Sequence, residues 1–162
     1  MSYNGAGMVA MTGKNCVAIA SDLRFGSQGL TLGSDMKKIF KMTDSLYIGL
    51  AGLATDMLTV AHKLEMHLKM FRLREERDIS PQAFSHYVSN MLYEKRFGPF
   101  FVEPVIAGLD AQGNPFIDAM DVIGAGNQAK DFVVAGTSSE NLMGVCESLY
   151  RTDMARQIYC LT

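Results

Sequence analysis

The sequence has no surplus of positive charge, no paired cysteines and no apolar run long enough to cross a membrane. Fifteen Lys and Arg face seventeen Asp and Glu, for a net charge of −2. A dedicated nucleic-acid binder needs a basic surplus to neutralise phosphates, so that class is excluded. The basic residues are also mixed with acids, as in RLREERD from Arg72 to Asp78, which reads as the solvated end of a helix. Cys16, Cys146 and Cys160 are far apart, odd in number and without CxxC spacing. Neither a disulfide framework nor a zinc site is expected, and a reducing, intracellular compartment fits best. No segment approaches the roughly 20 apolar residues of a membrane-spanning helix. The start, MSYNGAG, has no basic region and no long apolar stretch, so no signal peptide is expected. Repeats, low-complexity segments and a GxSxG motif are missing too.

What is present suits a globular chain. There are 162 residues, 48% of them apolar and 20% charged, which predicts one domain over 1–162 with room for a real core. Met8 to Thr12 and Cys16 to Asp22 are small, branched and apolar, joined through Gly13-Lys14-Asn15 as in a hairpin. Lys38 to Met42 and Leu46 to Gly52 predict two more strands. The period then lengthens. Met57, Ala61, Leu64, Leu68 and Phe71 form the apolar stripe of a helix of about 20 residues. Ser80-Pro81 predicts the cap and first position of a second helix carrying Phe84, Tyr87, Val88, Met91 and Leu92.

Strands resume at Pro104 to Asp110, Pro115 to Met120 and Asp131 to Gly136. Thr137-Ser138-Ser139-Glu140 matches a capping box, with Thr137 as cap, ahead of a third helix through Leu142, Met143, Val145, Cys146 and Leu149. Strands, helices, strands, helix is the order of an α+β fold, with helices packed on antiparallel sheets.

The stretches VAMTGKNCVAIASDLRFGSQ, KKIF, YIGLAGLATD, LYEKRFGPFFVEPVIAG and KDFVVAGTSSENLMGVCESLY, in this order and spacing, resemble proteasome beta subunits. They are most similar to the non-catalytic type-3 branch of the eukaryotic 20S core. The resemblance spans residues 4–150. It implies the four-layer αββα sandwich of N-terminal-nucleophile hydrolases. In active members a threonine heads the first strand, attacks the peptide carbonyl and uses its own free amine as general base. An Asp and a Lys set the electrostatics, and a backbone N–H at a glycine holds the oxyanion.

Carried onto this chain, the resemblance assigns the aspartate to Asp22, the lysine to Lys38, the oxyanion glycine to Gly52 and the supporting hydroxyl to Thr137. The nucleophile position, sixteen residues before Asp22, is Ala6. Alanine has no nucleophilic atom, and Gly5, Gly7 and Met8 are equally inert. No catalysis by this chain is therefore expected, and the site reads as vestigial. Asp22 and Lys38 are either a working electrostatic pair or, as Ala6 favours, a structural ion pair at the sheet mouth.

Ser2 would carry both hydroxyl and amine after removal of Met1. It lies four residues upstream, roughly 13 Å at about 3.3 Å per strand residue, too far to attack. His62 and His67 are five apart, off the spacing of a helical metal pair, so these and His86 are expected to face solvent or pack. Ser138 and Ser139 are explained by the capping box. Met57, Met91 and Met143 are expected in core stripes. Phe97, Phe100 and Phe101 are expected in the core, with a subunit contact as the other reading.

The resemblance implies further consequences. The family continues past the third helix with another helix and the last strands, whereas this sequence closes with an atypical tail at 155–162. The expected role is a structural member of a seven-membered beta ring, touching other beta subunits, the alpha ring and the opposite beta ring. It would serve ATP- and ubiquitin-dependent degradation by the complex in cytoplasm and nucleus, with no cofactor, metal, nucleic acid or membrane. The stretch around Asp121 is a candidate wall of a neighbour's substrate pocket. The alternatives are an active threonine- or serine-type peptidase, or a truncated product that does not assemble.

Overall fold

A computed structural model describes residues 3–154. Strands β1 (Gly7–Gly13) and β2 (Cys16–Ser21) form a hairpin closed by Lys14 and Asn15, with Asn15 in the left-handed region at φ 54°. A short hairpin, β3 (Phe25–Ser27) and β4 (Leu30–Gly33), follows. Next come β5 (Ile39–Thr43), β6 (Leu46–Gly52), α1 (Ala54–Glu75) and α2 (Pro81–Tyr93). The chain returns through β7 (Val102–Leu109), β8 (Pro115–Met120), β9 (Gly126–Ala129), β10 (Phe132–Gly136) and α3 (Ser139–Leu149). The expected α+β order is present; β3, β4 and β9 were not foreseen.

Two antiparallel sheets form the middle layers, one in the order β10-β1-β2 and one in the order β5-β6-β7-β8-β9. Strand alternation decides what each face buries. Met8 and Ala10 of β1, Val105 and Ala107 of β7, Ile117 of β8, and Val133 and Ala135 of β10 pack between the sheets. The opposite face of the five-stranded sheet meets α1 and α2. Its Ile48, Leu50, Ile106 and Phe116 close against Met57, Val60, Leu64, Phe84, Val88 and Leu92. Those helical positions recur at three and four residues, as the apolar stripe requires. The predicted capping of α2 is also present: Ser80 accepts the Ala83 N–H at 3.3 Å, and Pro81 takes the first turn.

The third helix departs from expectation. Its N-cap is Ser138, which makes no side-chain cap bond. Thr137 lies one residue before that cap, so the expected capping box does not form, and its hydroxyl donates across to the Ala6 carbonyl at 3.3 Å. Of the predicted stripe only Cys146 is buried, while Met143, Val145 and Leu149 are exposed. Helix α3 has the three-stranded sheet on one side and, among the described residues, no second helix beside it to cover these side chains. Phe97 and Phe101 are likewise exposed rather than core, Phe97 at 99%; Phe100 packs against the core. Met57 is buried and Met91 partly so, as expected. Ser2, Cys160 and the tail 155–162 lie outside the described residues.

Candidate functional site

Ala6 stands one residue before β1, buried beside the turn that leaves β10. Gly136 has φ +90°, and a Cβ there would fall 2.2 Å from the Ala6 carbonyl oxygen. The close approach requires glycine. Gly5, Ala6 and Gly7 line one cleft of about 240 Å³ with Asp22, Arg24, Thr137 and Ser138. Ala6 and Thr137 also face a smaller cavity of about 70 Å³ with Gly52, Glu103 and Gly136. Four of the five residues singled out in the sequence thus line two adjoining spaces.

The fifth, Lys38, reaches the site from below. Its side chain is 1% exposed, and Nζ donates to both Asp22 carboxylate oxygens at 2.8 Å and to the Gly5 carbonyl at 3.3 Å. Asp22 also accepts the N–H groups of Gly7 at 2.9 Å and Arg24 at 3.0 Å. Burial alone would raise the Asp22 carboxyl. The Lys38 hydrogen bond and charge, with the two N–H groups, outweigh that and hold it below the usual carboxylate range. The pair therefore fixes the backbone on both sides of Ala6.

Gly52 has φ +131°, and a Cβ on it would meet the Phe101 carbonyl oxygen at 2.1 Å. Leu53 N–H donates to that same oxygen at 2.8 Å, and Phe101 N–H donates to Asp56 at 2.9 Å. The strand-to-helix corner is thereby locked against β7.

Two further residues shape the site and escaped sequence reasoning. Glu103 accepts the Gly136 N–H at 3.0 Å, pinning the β10 exit. Asn4 is buried, donates to the Gly26 carbonyl at 2.7 Å and accepts the Ala54 N–H at 3.0 Å. It caps α1 from fifty residues away, where Leu53 offers no side-chain bond. No local motif announces such a contact.

The arrangement retains electrostatics and backbone geometry around a methyl group. No hydroxyl or thiol occupies position 6. The Thr137 hydroxyl is committed to a carbonyl, and no general base bonds to Ser138 among the described residues. No cluster of three metal-ligating side chains occurs among them either. His62 and His86 are exposed, and His67 stacks on Tyr87, with ring centroids 3.5 Å apart. Asp121 accepts the Ile123 and Ala125 N–H groups, which makes it the organiser of the β8–β9 turn.

Comparison with known proteins agrees on one family. The profile described as "Proteasome subunit" matches residues 2–158. "Proteasome subunit beta type-3" of Oryza sativa subsp. japonica is 57% identical over 152 residues, 94% of this chain and 74% of that protein. The protein of the same name from Dictyostelium discoideum is 51% identical over 155 residues, covering 95% and 76%. That from Drosophila melanogaster is 50% identical over the same length and shares.

Proposed function

This chain belongs to the proteasome subunit family, among its beta subunits, and from that membership we propose that it is a non-catalytic, structural member of the beta ring of the 20S core. The observation that carries the reading is Ala6. A peptide-bond hydrolase of this architecture needs a nucleophilic atom where the Lys38–Asp22 pair and the Gly52 corner converge, and a methyl group cannot form an acyl-enzyme. What the site keeps is rigidity: a buried lysine, a glycine fit at Gly136 and a pinned strand exit.

The surface supports an assembled role. Leu23, Leu30 and Leu32 are exposed around the β3–β4 hairpin, and Tyr93, Phe97 and Phe101 at the α2–β7 connection. Apolar side chains grouped in this way mark contact surfaces more often than free solvent faces. Neighbouring beta subunits, the alpha ring and the opposite beta ring are the partners proposed, with the Asp121 turn offered toward a neighbour. Protein degradation by the complex would use this chain as architecture.

The test is purification of the tagged full chain from eukaryotic cells, with mass spectrometry of what accompanies it and a fluorogenic peptidase assay on the chain alone. Alpha and beta proteasome subunits at near-equal amounts, and no hydrolysis by the isolated chain, are expected. A chain that emerges alone or aggregated overturns the ring role. Hydrolysis that is lost on Ser2→Ala or on blocking the N-terminal amine overturns the non-catalytic role.

A further inference from the structure

Strand β8 alternates Phe116, Asp118 and Met120 toward the helical layer and Ile117 and Ala119 toward the other sheet. Asp118 therefore occupies a position whose two neighbours on the same face are core residues. It is 5% exposed, and its Oδ2 accepts from the Ser85 hydroxyl of α2. Its Oδ1 has no hydrogen-bond partner among the described residues. A buried carboxylate left half-satisfied is costly unless something completes it.

The residue faces a cavity of about 270 Å³ between α2 and the β8–β9 edge. Gln82, Gln128, Ser89 and His86 contribute polar groups to its wall, and Phe116 and Met120 contribute apolar ones. No lysine or arginine lines it among the described residues. Gly126 of β9 leaves the carboxylate uncovered, since a Cβ there would lie 3.1 Å from both Asp118 oxygens. Burial pushes the Asp118 carboxyl up, and the Ser85 hydroxyl, the nearby Asn127 and Ala119 N–H groups and the His86 charge draw it back by less.

We propose that this cavity is a binding site for a guanidinium cation, held by Asp118 on the floor and by the apolar side chains of Phe116 and Met120 beside it. The chemistry selects that class. A divalent metal lacks ligands, because no three His, Cys, Asp or Glu side chains cluster among the described residues. A guanidinium is planar and weakly hydrated. Its edge donates in parallel to a carboxylate while its face rests on apolar carbon. Gln82 and Gln128 of the same wall carry amide oxygens that can accept its remaining N–H groups. The site is separate from the Ala6 cleft and does not depend on the ring role.

The test uses the full 162-residue chain, titrated with methylguanidinium and, in parallel, with neutral N-methylurea, and followed by amide chemical shifts. Saturable shifts confined to α2, β8 and β9 are expected with methylguanidinium. Asp118→Asn, which keeps the shape and removes the charge, should weaken binding by about tenfold or more. Gly126→Ala keeps the charge but places a methyl over the carboxylate, and should weaken binding comparably. It also decides the matter if Asp118→Asn fails to fold. Ser85→Ala, which leaves the carboxylate in place, should still bind. Absence of saturable shifts, equal binding of methylurea, or unchanged affinity in Asp118→Asn or Gly126→Ala overturns the proposal.

Discussion

Lys38 and Asp22 meet through two hydrogen bonds of 2.8 Å, one to each carboxylate oxygen, across a steep gradient of exposure. The lysine side chain is 1% exposed and the aspartate 39%. The aspartate can exchange its partner for water, whereas the lysine cannot. Removing either partner is therefore asymmetric. Asp22→Asn leaves a buried ammonium facing one neutral amide oxygen and the Gly5 carbonyl, with no counter-charge, and should cost about 1–3 kcal/mol, below the range for fully buried pairs because Asp22 is partly solvated. Lys38→Met with Asp22 intact should cost less than that, and chemical denaturation of the two variants checks the order. The pH dependence has a definite sign. The folded carboxyl is held below its unfolded value near 3.8, so its contribution is present above about pH 4 and lost as pH falls through the folded value. Asp22→Asn should lose that slope.

Gly52 offers a separation of backbone strain from steric exclusion. Gly52→Ala must place a methyl against the Phe101 carbonyl in addition to adopting φ +131°. Gly113→Ala faces only the conformational penalty at φ +83°, since nothing lies within 4 Å of its Cβ position. Losses of about 2–5 kcal/mol for Gly52→Ala and about 1 kcal/mol for Gly113→Ala are expected from thermal or urea unfolding. Similar losses at the two positions would show that the corner relaxes away from Phe101.

The contrast between these positions also marks how far the sequence could be read. The two middle helices, the β1–β2 hairpin and the Ala6, Asp22, Lys38, Gly52 and Thr137 constellation were legible, because periodicity and spacing encode local geometry and the family resemblance supplied the register. Thr137 was legible as a neighbour of Ala6 but not in its bonding. The TSSE pattern offers Thr137 as a local cap, but the helix takes Ser138 as its N-cap, and the Thr137 hydroxyl donates to a carbonyl from the other end of the chain. Met143, Val145 and Leu149 carry an apolar stripe whose burial depends on a neighbour that the stripe itself cannot specify. Asn4 and Glu103 act through contacts fifty and thirty-three residues away, which no window detects. Asp118 had a signal, a lone carboxylate in the alternation FIDAM, visible only once the strand's two faces are assigned.

Asn4 ties the approach to Ala6 to the start of α1. Asn4→Ala deprives both the Gly26 carbonyl and the Ala54 N–H of buried partners. A loss of about 1–3 kcal/mol is expected, with early exchange of the α1 first-turn amides. Asn4→Asp keeps the acceptor and adds negative charge at a helix N-terminus but loses the donor to Gly26. Its loss should be intermediate. Equal stability of wild type and Asn4→Ala in urea would remove Asn4 as the link between site and helix.

His67 stacks on Tyr87 between α1 and α2, with planes 10° apart. Burial lowers the imidazole below its ordinary value near 6.5, and the Arg74 charge lowers it further. The unfolded chain therefore takes up a proton first as pH falls. Stability contributed by the neutral ring is complete above about pH 6.5 and is lost as pH drops through the folded value. Tyr87 stays neutral in this range, since burial and the Glu94 charge raise its phenol. His67→Phe keeps a ring against Tyr87 and removes the titration. The difference in unfolding free energy between wild type and His67→Phe should be constant above pH 7 and should move in favour of the variant between pH 6.5 and 5. A difference independent of pH across that interval would mean that the imidazole protonates within the stack without penalty, and that the α1–α2 contact is purely one of packing.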